Sequence, residues 1–344
     1  MREAISIQII KPLKITMTKP LVSLILLSYN QEKSITEAAL SCLNQDFKGK
    51  IEILFSDDCS TDQTFHKLEK ISSQYEGPNT LILHQNHKNL GVCLHYNSAI
   101  ARTNGELIFT AAGDDISSPN RISTIVNAWL ENGKKADLIT SDLQKLRTDG
   151  SDAEKLIVAD LSYWDTPEKW IRKRPYVVGA AHAFTRRMHN QFGDFNSELV
   201  YEDQVMAFRA SLAGGGLKIH EPLVMYREGG ISQDKSNLAT TSDYLNWSKK
   251  HYRLQRAQYL QIQADLRTVG REDLWNKKLA KKLDGASLVL ALHNTINLSE
   301  KINILSNFKK VSLFFKLKHF TYISNPEIAI TIQKFQQKLK RLFK

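Results

Sequence analysis

The chain has 344 residues, 42% hydrophobic and 24% charged, which is the balance of a globular protein of one large or two ordinary domains. Its formal net charge is +11, but residues 301–344 hold ten Lys or Arg against the single acid Glu327, so +9 of that excess sits in the last eighth. The body is near neutral, which excludes a uniformly basic nucleic-acid binder. Three cysteines, Cys42, Cys59 and Cys93, make no CxxC pair and no metal-ligand spacing, as expected of packing thiols in a reducing compartment. The longest apolar run, Leu21 to Leu27, is too short to span a bilayer, and residues 1–20 lack a signal-peptide core. The expected location is the cytoplasm, free or attached peripherally to the inner face of the membrane.

Residues 1–20 read as a loose extension. Leu21–Ser28 (LVSLILLS) is an uninterrupted apolar strand of the kind buried on both faces, ended by Tyr29-Asn30. Ser34-Ile-Thr-Glu37 reads as a capping box opening a helix to about Leu43, with Ala38, Ala39, Leu40 and Leu43 inward. Ile51–Ser56 is a second strand, ended by Asp57-Asp58, and Ser60-Thr-Asp62 caps a helix to about Tyr75. A short strand at Leu81–Leu83 leads to Gly91 and a helix over about 92–102. Glu106–Arg121 (ELIFTAAGDDISSPNR) is a strand that stops at two adjacent carboxylates, Asp114 and Asp115. Pro119 opens a helix to Leu130, and Ala136–Ser141 is a fifth strand. This alternation predicts right-handed βαβ units and a mostly parallel sheet flanked by helices. The polar strand ends then line one edge, where open α/β sheets bind ligands. No GxGxxG and no GxxxxGK[ST] follows any strand. Asp114-Asp115 has two readings: a helix entry with Asp and Ser caps, or a site for a divalent cation that relieves their repulsion.

LVSLILLSYN, ILFSDDCSTD and NLGVCLHYNSAIARTNGELIFTAAGDD, in this order and spacing, resemble family 2 glycosyltransferases of the GT-A fold, from about Leu21 to Ser232. The resemblance implies an inverting enzyme that takes a hexosyl or N-acetylhexosaminyl group from a nucleotide diphosphate donor, usually UDP-linked. Ser28 and Tyr29 match the segment that cradles the base. Asp57 matches the aspartate that hydrogen-bonds it, with Asp58 as its neighbour, and Gly91 matches a loop near the donor. Asp114 and Asp115 match the ribose- and metal-binding carboxylates, with Asp115 taking Mg²⁺ or Mn²⁺ and Asp114 assisting. Where the family often writes Asp-x-Asp-Asp, this chain has Ala112 in the first position.

In the second half, Trp170 is either an acceptor-facing aromatic or one buried aromatic of a surface helix. Tyr176–Phe184 looks like the family's strand on the acceptor side. His182 on it is either a core histidine or a group beside the acceptor or diphosphate. Glu202-Asp203 open an amphipathic helix, where acids ordinarily complement the dipole. The resemblance makes Asp203 the general base, with Glu202 orienting the acceptor or holding an Arg. Leu217–Tyr226 reads as a strand pair split by Pro222. The family's His after the following Tyr-Arg is absent, so Arg227 or Lys235 is expected to meet phosphate, with Gly229-Gly230 as a lid hinge. From Ser242 the pattern is helical. Ile332, Phe335, Leu339 and Leu342 fall at helical spacing among Lys and Arg, which reads as a helix on an anionic membrane or one packed on the catalytic domain.

The expected organisation is an extension (1–20), a catalytic domain (21–240, with a nucleotide-sugar half at 21–141 and an acceptor half at 142–240) and a basic helical region (241–344). The expected function is metal-assisted sugar transfer to a glycan or lipid-linked acceptor in bacterial polysaccharide or lipopolysaccharide synthesis, with no nucleic-acid partner. The alternative is a non-catalytic nucleotide-sugar or membrane-surface binding protein on the same scaffold.

Overall fold

The computed structural model describes residues 21–147, 152–227 and 240–342, the last helix by its backbone alone beyond residue 335. The N-terminal extension, Gly229-Gly230, Lys235 and the side chains of Leu339 and Leu342 lie outside the described residues. Contacts divide the chain into two compact units, Met1–Gln233 and Asp234–Lys344.

The first unit alternates strands and helices: β1 (Val22–Ser28), α1 (Ile35–Leu43), β2 (Ile51–Asp57), α2 (Thr64–Ser73), β3 (Thr80–Gln85), α3 (Val92–Ile100) and β4 (Leu107–Ala112). Then come β5 (Ile116–Ser117), α4 (Arg121–Glu131), β6 (Leu138–Leu146), β7 (Asp152–Leu156), α5 (Pro167–Arg172), β8 (Ala183–Thr185), α6 (Arg186–Phe192), α7 (Glu202–Leu212) and β9 (Gly216–Arg227). The sheet order is β3-β2-β1-β4-β8-β6-β9-β5, with β7 beside β6. β3, β2, β1 and β4 run parallel, as do β6 and β9, while β8 is antiparallel to β4 and β6. This is the expected α/β class. The near-continuous apolar strands follow from burial on both faces: every residue of β2 is buried, and Leu24, Leu26, Phe55, Phe109 and Trp129 belong to one core. Register places the strand ends together, with Ser28 opposite Asp57, Asp57 opposite Gln85, and Leu27 opposite Ala112.

Four local expectations are corrected. Ser34 does not cap α1; its hydroxyl donates to the Gly113 carbonyl at 2.9 Å, tying the helix start to the turn after β4. The inward face of α1 is Ile35, Ala38, Ala39 and Cys42, and Leu40 is exposed. Residues 176–184 form a strand only at β8, because a 3-10 turn, Gly179–Ala181, precedes it. β9 is one strand that passes through Pro222, since the register with β6 slips beside Asp142 and leaves the proline no ladder donor to supply.

The second unit holds α8 (Thr241–Thr268), α9 (Lys277–His293), α10 (Leu298–Asn307), α11 (Leu313–Ser324) and α12 (Pro326–Leu342). Thr240 and Asp243 form a reciprocal capping box that starts α8. Leu288, Val289, Leu292, Val311 and Ile323 form the unit's core. Among the described residues no helix is long and apolar enough to cross a membrane.

Candidate active site

The loops after β1 and β2 are stitched together at the sheet edge. Asn30 accepts from the Thr61 N–H at 2.8 Å, and Gln31 N–H donates to Thr64 Oγ1 at 2.7 Å. Asp57 is buried at the centre. Its Oδ1 accepts from Ser28 Oγ (3.0 Å) and Ser60 Oγ (2.5 Å), and its Oδ2 accepts from Ser60 N–H (2.8 Å) and Gln85 Nε2 (3.1 Å). These four donors fill the acceptor sites of a carboxylate. Asp57, expected to read a base, here locks three strand ends together. Asp58 accepts three hydrogen bonds, from Asn86 Nδ2, Leu90 N–H and Gly91 N–H at 2.8–2.9 Å, and keeps one lone pair. It thereby folds the 86–91 loop toward the same edge. Gly91 has φ +78°, which side-chain-bearing residues resist, and open space on its Cβ side. Tyr29 projects from the edge, 42% exposed.

Asp114 and Asp115 lie one turn past β4, beside the Gly113 carbonyl that Ser34 holds. Burial, then the charge of Asp114, pushes the Asp115 carboxyl up to about 8. Burial also raises Asp114, against the opposing pull of Arg227 and Gln31. The end of β9 closes over the pair. Arg227 N–H donates to Asp115 Oδ1 (2.9 Å), its Nε donates to the Asp114 carbonyl (3.0 Å), and its guanidinium pairs with Glu37 (2.7 Å). Arg227, expected to meet phosphate, is bound to the acidic pair and to Glu37. No cluster of three His, Cys, Asp or Glu able to hold a metal occurs among the described residues.

Glu202 and Asp203 occupy the first turn of α7. Burial, then the neighbouring charge, pushes Glu202 up to about 8, and burial pushes Asp203 up to about 6. Asp203 Oδ1 also accepts from the Gln204 N–H at 2.6 Å. Facing them is Gly179, where a Cβ would come within 2.7 Å of Glu202 Oε1 and 3.7 Å of Asp203 Cβ. The absence of a side chain at 179 is what gives the Glu202 carboxylate its place. Tyr96 and Cys93 on α3 share this environment, with Tyr96 Oη 3.6 Å from Met206 Sδ.

The acidic pair and the base candidates are joined by one buried bridge. Thr110 of β4 donates through Oγ1 to the Gly179 carbonyl (3.2 Å), and its N–H donates to the His182 carbonyl (3.3 Å). Arg121, the first residue of α4, is wholly buried. Its Nη2 donates to the carbonyls of Thr110 (2.8 Å), Ala180 (2.9 Å) and His182 (3.3 Å), and its Nη1 donates to Ser117 Oγ (3.0 Å). Arg121 therefore clamps the 179–182 turn to the strand that carries Asp114 and Asp115. Sequence reasoning missed Arg121, Thr110, Gly179 and Gln31. Arg121 left a trace: it shares a helical face with Ile125 and Trp129, so it is a cation on an apolar stripe.

Of the two readings open for Trp170 and for His182, the structure agrees with the buried one in both cases. Trp170 is buried, tilted on Phe208 of α7 with ring centroids 4.8 Å apart and covered by the Arg174 guanidinium, so it anchors the helix that carries Glu202 and Asp203. His182 is also buried, and neither ring nitrogen has a hydrogen-bond partner. Burial, with Arg121 adding repulsion, pushes it down to about 3, so it is a neutral core imidazole.

The family model described as Glycosyl transferase family 2 matches residues 23–188. The protein named glycosyltransferase EpsE of Bacillus subtilis is 34% identical over 112 residues, 33% of this chain and 39% of that protein. WcaA of Escherichia coli, named for colanic acid biosynthesis, is 32% identical over 107 residues, 31% of this chain and 37% of that protein. The chain thus spans less than two fifths of the length of these two curated relatives. Among solved structures, S. aureus TarS in complex with UDP superposes with a TM-score of 0.54 at 21% identity, over 85% of this chain and 80% of TarS. The mannosyltransferase PcManGT from Pyrobaculum calidifontis, in complex with GDP-Man and Mn²⁺, gives 0.50 at 15% identity, over 95% of this chain and 91% of that one. These likenesses establish the fold.

Proposed function

With residues 23–188 belonging to glycosyl transferase family 2, we propose that this protein is an inverting glycosyltransferase that moves a sugar from a UDP-linked donor to a hydroxyl of a glycan or lipid-linked acceptor. The pathway we assign is synthesis of a bacterial surface polysaccharide or lipopolysaccharide; the name of WcaA supports the polysaccharide part of this reading. The observation that carries the reading is the bridge: a strand-end acidic pair and a helix-start carboxylate pair are held to the two sides of one turn, residues 179–182. Catalytic work falls to residues 21–240, with a donor half at 21–141 and an acceptor half at 142–240.

Ser28, Tyr29, Asp58 and Gly91 border the donor's nucleoside, Tyr29 by offering its exposed ring and Asp58 by its remaining lone pair. Asp114 and Asp115 suit Mg²⁺ or Mn²⁺. They are two adjacent buried carboxylates whose shared ionisation is disfavoured by burial and mutual repulsion, Asp115 being pushed up to about 8, and a divalent ion displacing the proton would relieve both costs. Such an ion, when bound, neutralises the leaving diphosphate. Ala112 contributes no carboxylate, so Asp114 and Asp115 are the residues of this chain that would hold the ion, together with the donor's phosphates. Arg227 keeps Asp115 turned toward the edge through its N–H. Asp203 takes the acceptor hydroxyl's proton as that oxygen bonds to the anomeric carbon and the bond to the diphosphate breaks. Its carboxyl, at about 6, is largely ionised at neutral pH, whereas Glu202, at about 8, keeps its proton and can donate a hydrogen bond to the acceptor.

A thermal-shift screen of nucleotide sugars with and without Mn²⁺ tests the donor assignment, since a ligand at a hundred times its Kd stabilises by about 2.7 kcal/mol. Stabilisation by one UDP-sugar that needs Mn²⁺ supports it, and none by any UDP-sugar overturns it. The non-catalytic alternative, favoured by Ala112 in the leading position, predicts binding without turnover. Sugar transfer by purified protein that is lost in Asp203→Asn excludes it.

A further inference from the structure

We infer that the second unit docks on an anionic lipid surface through the exposed face of α11, with Leu313, Phe314 and Leu317 entering the headgroup layer and lysines around them meeting lipid phosphate. This sharpens the expectation of membrane attachment and does not depend on the enzymatic reading.

α11 has two faces of opposite character. Phe315, His319 and Ile323 turn inward, His319 and Ile323 buried and Phe315 packed on the core that α9 supplies. Leu313, Phe314 and Leu317 are 69%, 79% and 51% exposed. Positions 314, 317, 318 and 321 fall on one helical stripe, so Phe314 and Leu317 stand side by side with Lys318 next to them. Helix α11 begins at Ser312, whose hydroxyl accepts from the Phe315 N–H at 3.4 Å, and the exposed Lys309 and Lys310 lie just before it. Two bulky apolar residues therefore lead the helix, with cations directly behind them. The preceding helix repeats the pattern: Leu298 and Ile302, one turn apart, are both more than half exposed, and Ile296 before them is almost fully so.

Large apolar side chains exposed in this number call for a partner. The charge around them says which kind. From Ile296 to Phe335 there are six lysines and only two acids, Glu300 and Glu327. A protein partner would need a strongly acidic apolar surface, and a second copy would set lysine against lysine. A bilayer with anionic headgroups accepts both components: the phenyl and leucyl groups enter the interface while the lysines snorkel to phosphate. Since no described helix can span a membrane, the contact is interfacial.

The test is co-sedimentation of the full-length protein with vesicles of phosphatidylcholine alone or of phosphatidylcholine with 30% phosphatidylglycerol (about a third anionic lipid, enough for a strong surface potential). Binding is expected to the anionic vesicles and to weaken with added salt. The variant L313Q/F314S/L317Q should lose about tenfold or more in partitioning, the loss expected from removing three inserted side chains. The variant K309A/K310A/K316A/K318A should lose the preference for anionic vesicles, about a hundredfold. All these positions except the half-buried Lys316 are exposed, so melting temperature should stay within a few degrees of the parent, which separates lost docking from lost folding. No binding to anionic vesicles, or unchanged binding by the apolar variant, overturns the inference. So does a concentration-dependent dimer in light scattering that the apolar variant abolishes, since the face would then belong to a second copy.

Discussion

Replacing Arg121 by Met removes a buried guanidinium while keeping most of its stem. Two effects oppose each other. Burial penalises the cation, pushing its pKa from the ordinary arginine range down to about 10, equivalent to about 3 kcal/mol at about 1.4 kcal/mol per unit. Deleting the charge returns that amount. Against it stand four hydrogen bonds from a charged donor, to Ser117 Oγ and the carbonyls of Thr110, Ala180 and His182. Nη2 has two N–H groups for its three carbonyls, so the four count as about three full bonds; at about 1.5–3 kcal/mol each they sum to about 4.5–9 kcal/mol and win by at least about 1.5 kcal/mol. For a unit the size of Met1–Gln233, at about 2–4 °C per kcal/mol, the melting temperature should fall by at least about 3 °C. Arg121→Lys keeps the charge but not the fork that spans three carbonyls, so it should fall between the two. Differential scanning calorimetry of the three proteins reads this directly. A Met variant within about 2 °C of the parent, or a Lys variant no better than Met, would show that the clamp does not hold the turn.

Gly179→Ala should separate stability from activity: the new Cβ meets Glu202 Oε1, the tip of a side chain that can swing away, so melting changes little while transfer falls about tenfold or more as the carboxylate leaves its place. Asp203→Asn should lower turnover about 10²–10⁴-fold with donor affinity unchanged, measured by transfer rate and donor titration. The wild-type rate should rise with pH through about 6 as Asp203 ionises; a rate flat from pH 5 to 7 would contradict the assignment. Stability should run the other way. Glu202 and Asp115 have folded-state values raised to about 8, so the folded state holds protons that the unfolded state has released. Their contribution is fully present below the ordinary carboxylate range and is lost as pH rises through about 8. Between pH 6.5 and 8.5 the depressed histidines no longer oppose this, so melting temperature in chelator should decline, with a shallower slope in Glu202→Gln. Asp58→Ala should free the 86–91 loop from its three hydrogen bonds, increasing protease cleavage there and weakening donor-induced stabilisation.

What the sequence determined by itself was the frame. Strands such as VSLILLS and IEILFSD are apolar without alternation, so they had to be buried on both faces, and parallel pairing followed from the helices between them. Once parallel order is granted, Asp57-Asp58 and Asp114-Asp115 must share an edge, and that much of the site was legible. What only the tertiary structure decided was how each polar group is used. Asp57 and Asp58 are identical neighbours in sequence, yet four protein donors saturate the first and three leave the second a lone pair. His182 and Trp170 were ambiguous for the same reason: burial depends on which helix packs over them, and α7 and the 179–182 turn reach them from elsewhere in the chain. Arg121 and Gly179 act through partners some sixty and twenty residues away in sequence, and no local pattern records such a contact. Local periodicity fixes which backbone is strand or helix because that is set within a few residues. The chemistry of a side chain is set by the groups that folding brings against it.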